Sequence, residues 1–193
     1  MIVTVLVASL MAGVTDQPEA PSTGLAGSAL ELAVLPHTTL VGYPVAGRTP
    51  RALREAINVG RPSEPDGTRY DGKTEWLYST RWLTNSQGIC DPESAEVTVA
   101  ITVILPELTT RDSLGHRDLE RWDQYYAALV AHEHNHAHLA LAGATAIQAA
   151  MRASSSCEQM TAAVGSVSET IAQASRTYDA RTRHGRDEGA VYP

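Results

Sequence analysis

The sequence predicts an α+β fold in which a small mixed or antiparallel sheet packs on two long helices. Residues 96–105 (EVTVAITVIL) form a β-branched run that is typical of a strand. Residues 118–152 and 154–178 carry apolar residues at helical spacing, and the first of these segments contains no proline and a single glycine, Gly143. The predicted order is strand, helix, two or three strands and then two long helices, which favours α+β over repeated βαβ units.

Shorter elements precede the long helices. Residues 38–45 alternate weakly in hydrophobicity and are expected to form a strand. Thr49 and Pro50 are typical of a helix start, and that helix should end at about residue 58. Residues 68–83 place tyrosine, threonine and tryptophan at even-numbered positions, which is the spacing of a half-buried strand. Residues 179–193 are expected to form a polar, glycine-containing tail.

The first 35 residues differ in composition from the rest of the chain. Residues 1–14 form an apolar run without a charge, too short to span a bilayer, which we interpret as a signal peptide; the alternative is an N-terminal strand. Residues 15–35 are rich in Pro, Ser, Thr and Gly and are expected to form a flexible linker. Residues 36–193 then form one domain. We therefore predict a secreted or periplasmic protein whose mature chain has no membrane span.

The charge and the cysteines agree with an exported protein. The formal net charge is −7, which argues against nucleic acid or an anionic membrane as the main partner. There are two cysteines, Cys90 and Cys157, and an even pair in an oxidising compartment predicts a disulfide. A thiolate metal ligand is the alternative, and it is less favoured because neither residue belongs to a Cys-x-x-Cys pair.

The segment HEHNH, residues 132–136, carries the pattern of a zinc peptidase. His132 and His136 are four residues apart, so on a helix both imidazoles lie on one face and can bind one ion. Glu133 stands beside them, where a carboxylate can take a proton from water that the metal activates. The pattern predicts a Zn²⁺ site.

A second histidine pair competes for this role, since His134 and His138 are also four residues apart. At about 100° per residue, His132 and His136 share a helix face with most of the large apolar residues, whereas the second pair falls on the far side. We therefore predict that the first pair points into the protein and binds metal, while the second faces solvent. Glu133 is expected at the border of the two faces.

A catalytic zinc site needs a third protein ligand and one open position. The downstream candidates are Glu158 and Glu169 on the second predicted helix and Asp179 and His184 in the tail. The spacing along the sequence does not distinguish among these four candidates.

Several segments occur in a characteristic order between residue 42 and the end of the chain. They include TEWLYSTRW, the HEHNH helix, a later cysteine, and YDARTRHG at residues 178–185. In these segments the chain resembles domain of unknown function 922, a bacterial family regarded as predicted secreted zinc-dependent proteases. One departure is Glu188, which precedes a Gly-Ala pair where the family's pattern has glutamine.

The resemblance implies a zincin-like fold and zinc-dependent hydrolysis of a peptide or protein substrate. Glu133 would be the general base, and the strand at residues 96–105 would bind an extended peptide along its edge. The YDARTRHG motif singles out His184 as the third zinc ligand. Asp179 would accept a hydrogen bond from a ligand imidazole or serve as the alternative ligand.

Two other functions compete with a peptidase. A non-catalytic zinc-binding protein of the cell envelope would suit the five histidines between residues 116 and 138, and it would not need Glu133. An interaction protein that packs its long helix against a partner would need no metal.

Overall fold

The computed structural model describes the backbone of residues 2–8 together with residues 29, 32–64 and 66–193. The described elements, in chain order, are β1 (Ile2–Ala8), β2 (Thr38–Val45), α1 (Pro50–Gly60), β3 (Lys73–Thr84), β4 (Cys90–Leu108), α2 (His116–Arg152) and α3 (Cys157–Thr182). Short 3-10 turns occupy Arg111–Ser113 and Arg186–Glu188. The α+β prediction is confirmed.

The strands form a mixed sheet in the order β1-β3-β4-β2. β4 is antiparallel to β3 and parallel to β2, so it has a neighbour on each side. Residues 101–104 of β4 are paired on both sides, so this part of the strand has no free edge for a peptide. In the described part of the chain residues 96–100 pair with β3 alone, and peptide binding along that stretch stays a prediction. β4 also continues past Pro106, which lies beyond the last residue paired with β3, Ile104. A proline is tolerated there because one side of the strand no longer needs a donor.

The backbone of β1 pairs antiparallel with β3, with Ile2 opposite Leu83 and Ala8 opposite Leu77. This is the conformation of the strand alternative, and it does not test whether residues 1–14 are a signal peptide. Most of the predicted linker lies outside the described residues. Both the leader and the linker stay predictions. Among the described residues, no helix combines the length and apolar character needed to cross a membrane.

The core lies between the sheet and the two long helices. Val99, Ile101, Val103 and Leu105 are buried at alternate positions of β4, as the period of a strand requires. The helix α2 packs against β4 on one side and against α3 on the other. Its position between two layers explains why α2 buries residues along nearly its whole length.

The starts of α1 and α3 follow local capping rules. Thr49 Oγ1 accepts a hydrogen bond from the Ala52 amide at 3.3 Å, as predicted for the start of α1. Ser156 caps α3 by accepting from the Gln159 amide at 3.2 Å, so this helix begins at Cys157 and not at the predicted residue 154.

The polar tail predicted from residue 179 begins a few residues later and packs on the domain. α3 continues to Thr182, and the chain then turns back, so that Ala190 and Tyr192 are each 2% exposed. Arg54 donates a hydrogen bond to the Tyr192 carbonyl at 3.1 Å, and the Tyr192 amide donates to Asp71 at 3.3 Å. These bonds hold the C-terminal segment against the start of β3.

The predicted disulfide is confirmed. Cys90 at the start of β4 and Cys157 at the start of α3 are joined, with Cα atoms 5.3 Å apart and a sequence separation of 67. The bond ties the sheet to the second long helix.

Candidate metal centre

His132 and His136 point from α2 into the protein, where they are 5% and 6% exposed. The exposed side of the helix carries His138, while His134 is half-buried. The prediction that the first pair is the buried one is confirmed. The two rings stand one helical turn apart, with centroids 4.8 Å from each other.

Asp179 completes a compact group with these histidines. Its Oδ1 lies 3.2 Å from His132 Nε2 and 3.0 Å from His136 Nε2, and the two Nε2 atoms are 3.2 Å apart. The ligand atoms of a tetrahedral zinc site are about 3.3 Å apart, given bond lengths of about 2.0–2.1 Å. Among the described residues, these three side chains are the group of potential ligands close enough to hold one metal ion.

The chemistry of the three donors also fits a cation. Two imidazole nitrogens and a carboxylate oxygen meet at one point, and their lone pairs repel unless a cation or shared protons lie between them. Burial opposes charge on Asp179, yet its hydrogen bonds with both histidines hold its pKa well below the usual range. Burial would likewise lower the pKa of His132, but the bond to Asp179 and the nearby Glu133 and Glu188 carboxylates raise it. The group therefore attracts positive charge.

The outer nitrogens of both imidazoles have partners. His132 Nδ1 lies 2.8 Å from Glu188 Oε2, and His136 Nδ1 lies 2.9 Å from Ser175 Oγ. A proton on each Nδ1 can be donated to these oxygens, which leaves each Nε2 lone pair directed at the centre. No sequence motif indicated Ser175 as a partner of His136. For Glu188 the one signal was that it replaces the glutamine of the family's pattern.

Tyr178 packs against both imidazoles. Its ring centroid is 4.9 Å from that of His132 and 5.1 Å from that of His136. The Tyr178 hydroxyl donates to Glu188 at 3.0 Å and accepts from Asn135 Nδ2 at 2.8 Å. Asn135, the fourth residue of HEHNH, thus orients the tyrosine that holds the histidines in place.

Glu133 is 4% exposed and is held from β3. Thr74 Oγ1 donates a hydrogen bond to Glu133 Oε2 at 2.7 Å. Gly72 makes room for the carboxylate, because a Cβ atom at that position would lie 2.7 Å from Glu133 Oε1. The start of β3 therefore buries a residue that helix periodicity alone put at the border of the two faces. Burial raises the pKa of Glu133, which is partly offset by the two histidines.

His184 lies beside the three donors. Its Nδ1 is 3.7 Å from Asp179 Oδ1, its ring stacks on Tyr70 with centroids 4.4 Å apart, and its side chain is 48% exposed. The assignment of His184 as a metal ligand stays a prediction. The other two candidates, Glu158 and Glu169, are exposed on α3 and do not line the cleft beside the centre.

Gly185 brings the C-terminal turn against the centre. It has φ +73°, and a Cβ atom there would lie 3.2 Å from the His132 ring and 2.7 Å from Ala190 Cβ. Its amide donates to Thr182 Oγ1 at 3.2 Å, which closes the end of α3. The YDARTRHG motif therefore combines a ring packed on His132, a candidate ligand and a tight turn.

The centre lies in the wall of a cleft of about 700 Å³. The segment before β3 forms one side of the cleft, and the end of α3 with the C-terminal turn forms the other. His132, Glu133, His136 and Asp179 all line it, so a molecule in the cleft can reach both the candidate ligands and the buried carboxylate.

Comparison with known proteins supports the resemblance inferred from the sequence. The model of one family, described as bacterial protein of unknown function (DUF922), matches residues 41–185, about three quarters of the chain. The matched region contains the HEHNH helix, Asp179 and His184. No curated protein and no solved structure matches the chain.

Proposed function

The chain belongs to the bacterial family of domain of unknown function 922, and on that premise we propose that it is a zinc-dependent peptidase of the periplasm or the extracellular space. The family's description assigns no activity, so the proposal depends on the site. The observation that carries it is the buried Glu133 carboxylate, which lies next to three converging metal donors in the wall of one cleft.

The proposed zinc ligands are His132 Nε2, His136 Nε2 and Asp179 Oδ1. We favour Asp179 over His184 as the third ligand because its oxygen lies within 3.2 Å of both histidine nitrogens, whereas His184 is half-exposed and stacked on Tyr70. When bound, the ion supplies Lewis acidity, which polarises a scissile carbonyl and makes a water molecule acidic near neutral pH.

Glu133 is the proposed general base. Thr74 donates a hydrogen bond to Oε2 of Glu133, and among the described residues Oε1 has no hydrogen-bond partner. Oε1 is therefore the atom proposed to take a proton from the attacking water. The same oxygen then passes the proton to the leaving amine. Burial raises the pKa of Glu133, which brings the carboxylate closer to the range in which it can both accept and release a proton near neutral pH.

The zincin-like fold and the location are parts of the same proposal. A helix that carries HEHNH beneath a sheet, followed by a second helix that supplies a third donor, is the arrangement expected of such a peptidase. The Cys90–Cys157 disulfide is compatible with an oxidising compartment.

The deciding experiment replaces Glu133 with glutamine. Glu133→Gln should keep zinc binding and folding but lower peptide cleavage by at least about 100-fold, because a base and not a ligand is lost. Glu120→Gln, on the exposed side of the same helix, is the matched control and should behave like the parent. Zinc content is measured by mass spectrometry and cleavage by digestion of a peptide library.

If the protein binds zinc without catalysing hydrolysis, the opposite results are expected. If the parent binds one zinc ion and cleaves no peptide, or if Glu133→Gln cleaves as fast as the parent, the peptidase proposal fails. Retained zinc in a protein without turnover would favour the zinc-binding module.

A further inference from the structure

The cleft beside the candidate metal centre is richer in basic residues than the rest of the protein. The chain has 15 basic and 22 acidic residues, which gives its net charge of −7. Six of the basic residues line this one cleft, against five of the acidic ones. The lining basic residues are Arg61, Arg69, Lys73, Arg176, Arg183 and Arg186.

Four of these six cations are already paired with carboxylates. Arg61 lies 3.3 Å from Asp71, and Lys73 lies 2.7 Å from Glu75 and 3.1 Å from Glu64. The other two pairs are Arg176 with Glu169 and Arg183 with Asp187. The charges of these cations are therefore at least partly neutralised by their partners.

Arg69 and Arg186 differ from these four cations because neither forms an ion pair among the described residues. Within the part of the chain that the structure describes, Arg69 donates only to the backbone carbonyls of Asn58 and Val59, at 3.0 and 3.5 Å, and Arg186 makes no side-chain hydrogen bond or ion pair. Both side chains are exposed. Each keeps a guanidinium available for a ligand, and a guanidinium matches the geometry of a carboxylate.

The two arginines belong to opposite walls of the cleft. Arg69 precedes Tyr70, whose ring stacks on His184, and Arg186 follows Gly185, which lies against the His132 ring. Among the described residues that line the cleft, Asp66 is the exposed acid without an ion pair, and it accepts a hydrogen bond from the Thr68 amide at 2.8 Å. A divalent ion would offset the charges of Asp179 and Glu133, so in the loaded cleft these two arginines would be the lining cations without a carboxylate partner among the described residues.

We infer that the cleft selects acidic peptides, with an aspartate or glutamate side chain close to the scissile bond held by Arg69 or Arg186. The inference rests on the proposed function, which supplies the reaction. The preference for acidic peptides rests on the two guanidiniums that form no ion pair among the described residues. The two guanidiniums also attract anionic ligands, an effect that falls as salt rises.

The first measurement is the cleavage preference of the zinc-loaded protein on a proteome-derived peptide library. We expect aspartate and glutamate to be enriched at positions near the cut. Arg69→Gln and Arg186→Gln should each lower kcat/KM for an acidic peptide by about tenfold. Each change removes a charge-assisted hydrogen bond whose strength is reduced by its exposure to solvent. Arg186→Glu should move the preference towards basic residues. The matched control is Arg48→Gln, an exposed arginine outside the cleft.

The second measurement does not need turnover. Zinc-loaded Glu133→Gln is titrated with two fluorescein-labelled peptides that differ only in one glutamate or glutamine, at low and high salt. The glutamate peptide should bind more tightly, and its advantage should shrink at high salt and on adding Arg186→Gln.

The outcomes separate the two proposals. Cleavage without enrichment of acidic residues, or arginine variants that match Arg48→Gln, overturns the acidic preference and leaves the peptidase intact. Selective binding of the glutamate peptide in a protein whose parent cleaves nothing overturns the peptidase and supports the acidic preference. Equal binding of the two peptides overturns the preference whatever the activity.

Discussion

His132 Nδ1 lies 2.8 Å from Glu188 Oε2, and this contact joins the helix that carries HEHNH to the C-terminal turn across 56 residues of sequence. The same carboxylate accepts a hydrogen bond from Tyr178, whose ring packs on His132. Glu188 therefore controls both the proton on the outer nitrogen of His132 and the ring that covers it. A residue outside the set of candidate ligands thus orients one of them.

The first prediction concerns Glu188. Glu188→Ala should weaken zinc binding by about 10–100-fold, because His132 loses the partner that orients its ring and keeps Nε2 unprotonated. Asp187→Ala removes the neighbouring carboxylate, which pairs with Arg183, and should leave the affinity near that of the parent. Competition with a chromophoric chelator measures both. Equal affinities in the two variants would show that Glu188 does not position His132.

The second prediction separates the two candidates for the third ligand. Asp179→Ala should weaken zinc binding by orders of magnitude, since it removes the oxygen that faces both histidine nitrogens. His184→Ala should cost tenfold or less, because its nearest approach to the group is 3.7 Å from Asp179. Isothermal titration with Zn²⁺ measures both variants. The reverse order of effects would establish His184 as the ligand, as the family motif implied.

The third prediction uses two glycines with nearly the same backbone conformation. Gly185 has φ +73° and Gly189 has φ +84°, so alanine at either position costs roughly 1–2 kcal/mol of backbone strain. Only at Gly185 would the new methyl group press on His132, at 3.2 Å, whereas at Gly189 it meets Ala128 at 3.7 Å. Gly185→Ala should therefore lose zinc affinity in addition to stability.

Two measurements distinguish these effects. Urea denaturation gives the free energy of unfolding of each variant, and chelator competition gives its zinc affinity. We expect Gly189→Ala to lose stability alone. A comparable loss of zinc affinity in both variants would mean that the close approach of Gly185 to His132 has no role in the centre.

The fourth prediction concerns the pH dependence of the metal-free protein. The pKa of His132 is raised from its ordinary value of 6.5 in the folded state, so its contribution to stability is complete below that value and is lost as pH rises through the raised pKa. The pKa of Asp179 is lowered from 3.8, so its contribution is present above 3.8 and is lost as pH falls through the lowered pKa. Both contributions are therefore complete between about pH 4 and 6.5.

Chemical denaturation with a chelator present tests this dependence. The free energy of unfolding of the metal-free parent should fall as pH rises above 6.5, and His132→Gln should remove that component, whereas His138→Gln, at an exposed position, should not. Zinc should reverse the trend, because the ion competes with the proton for Nε2. A His132→Gln profile with the same decline as the parent would contradict the assignment.

The sequence by itself determined the features that depend on short-range periodicity. The four-residue spacing of His132 and His136 places them on one face of any helix, and the apolar residues at the same angle identify that face as the buried one. Strand β4 follows from its β-branched run, and the start of α1 follows from Thr49 and Pro50. The Cys90–Cys157 bond also needed no tertiary information, since two cysteines allow one pairing.

Only the tertiary structure decided which residues meet the histidines. Asp179 is 47 residues from His132, Glu188 is 56 residues away, and Thr74 is 59 residues from Glu133. Local periodicity says nothing about contacts at such separations, because they depend on how α3 packs on α2 and on where the chain turns back at Gly185. The packing of the C-terminal segment against Asp71 likewise converts a sequence that looks like a polar tail into a wall of the cleft. The helix face was thus a local property, whereas the third donor and the partner of each imidazole depend on the packing of distant segments.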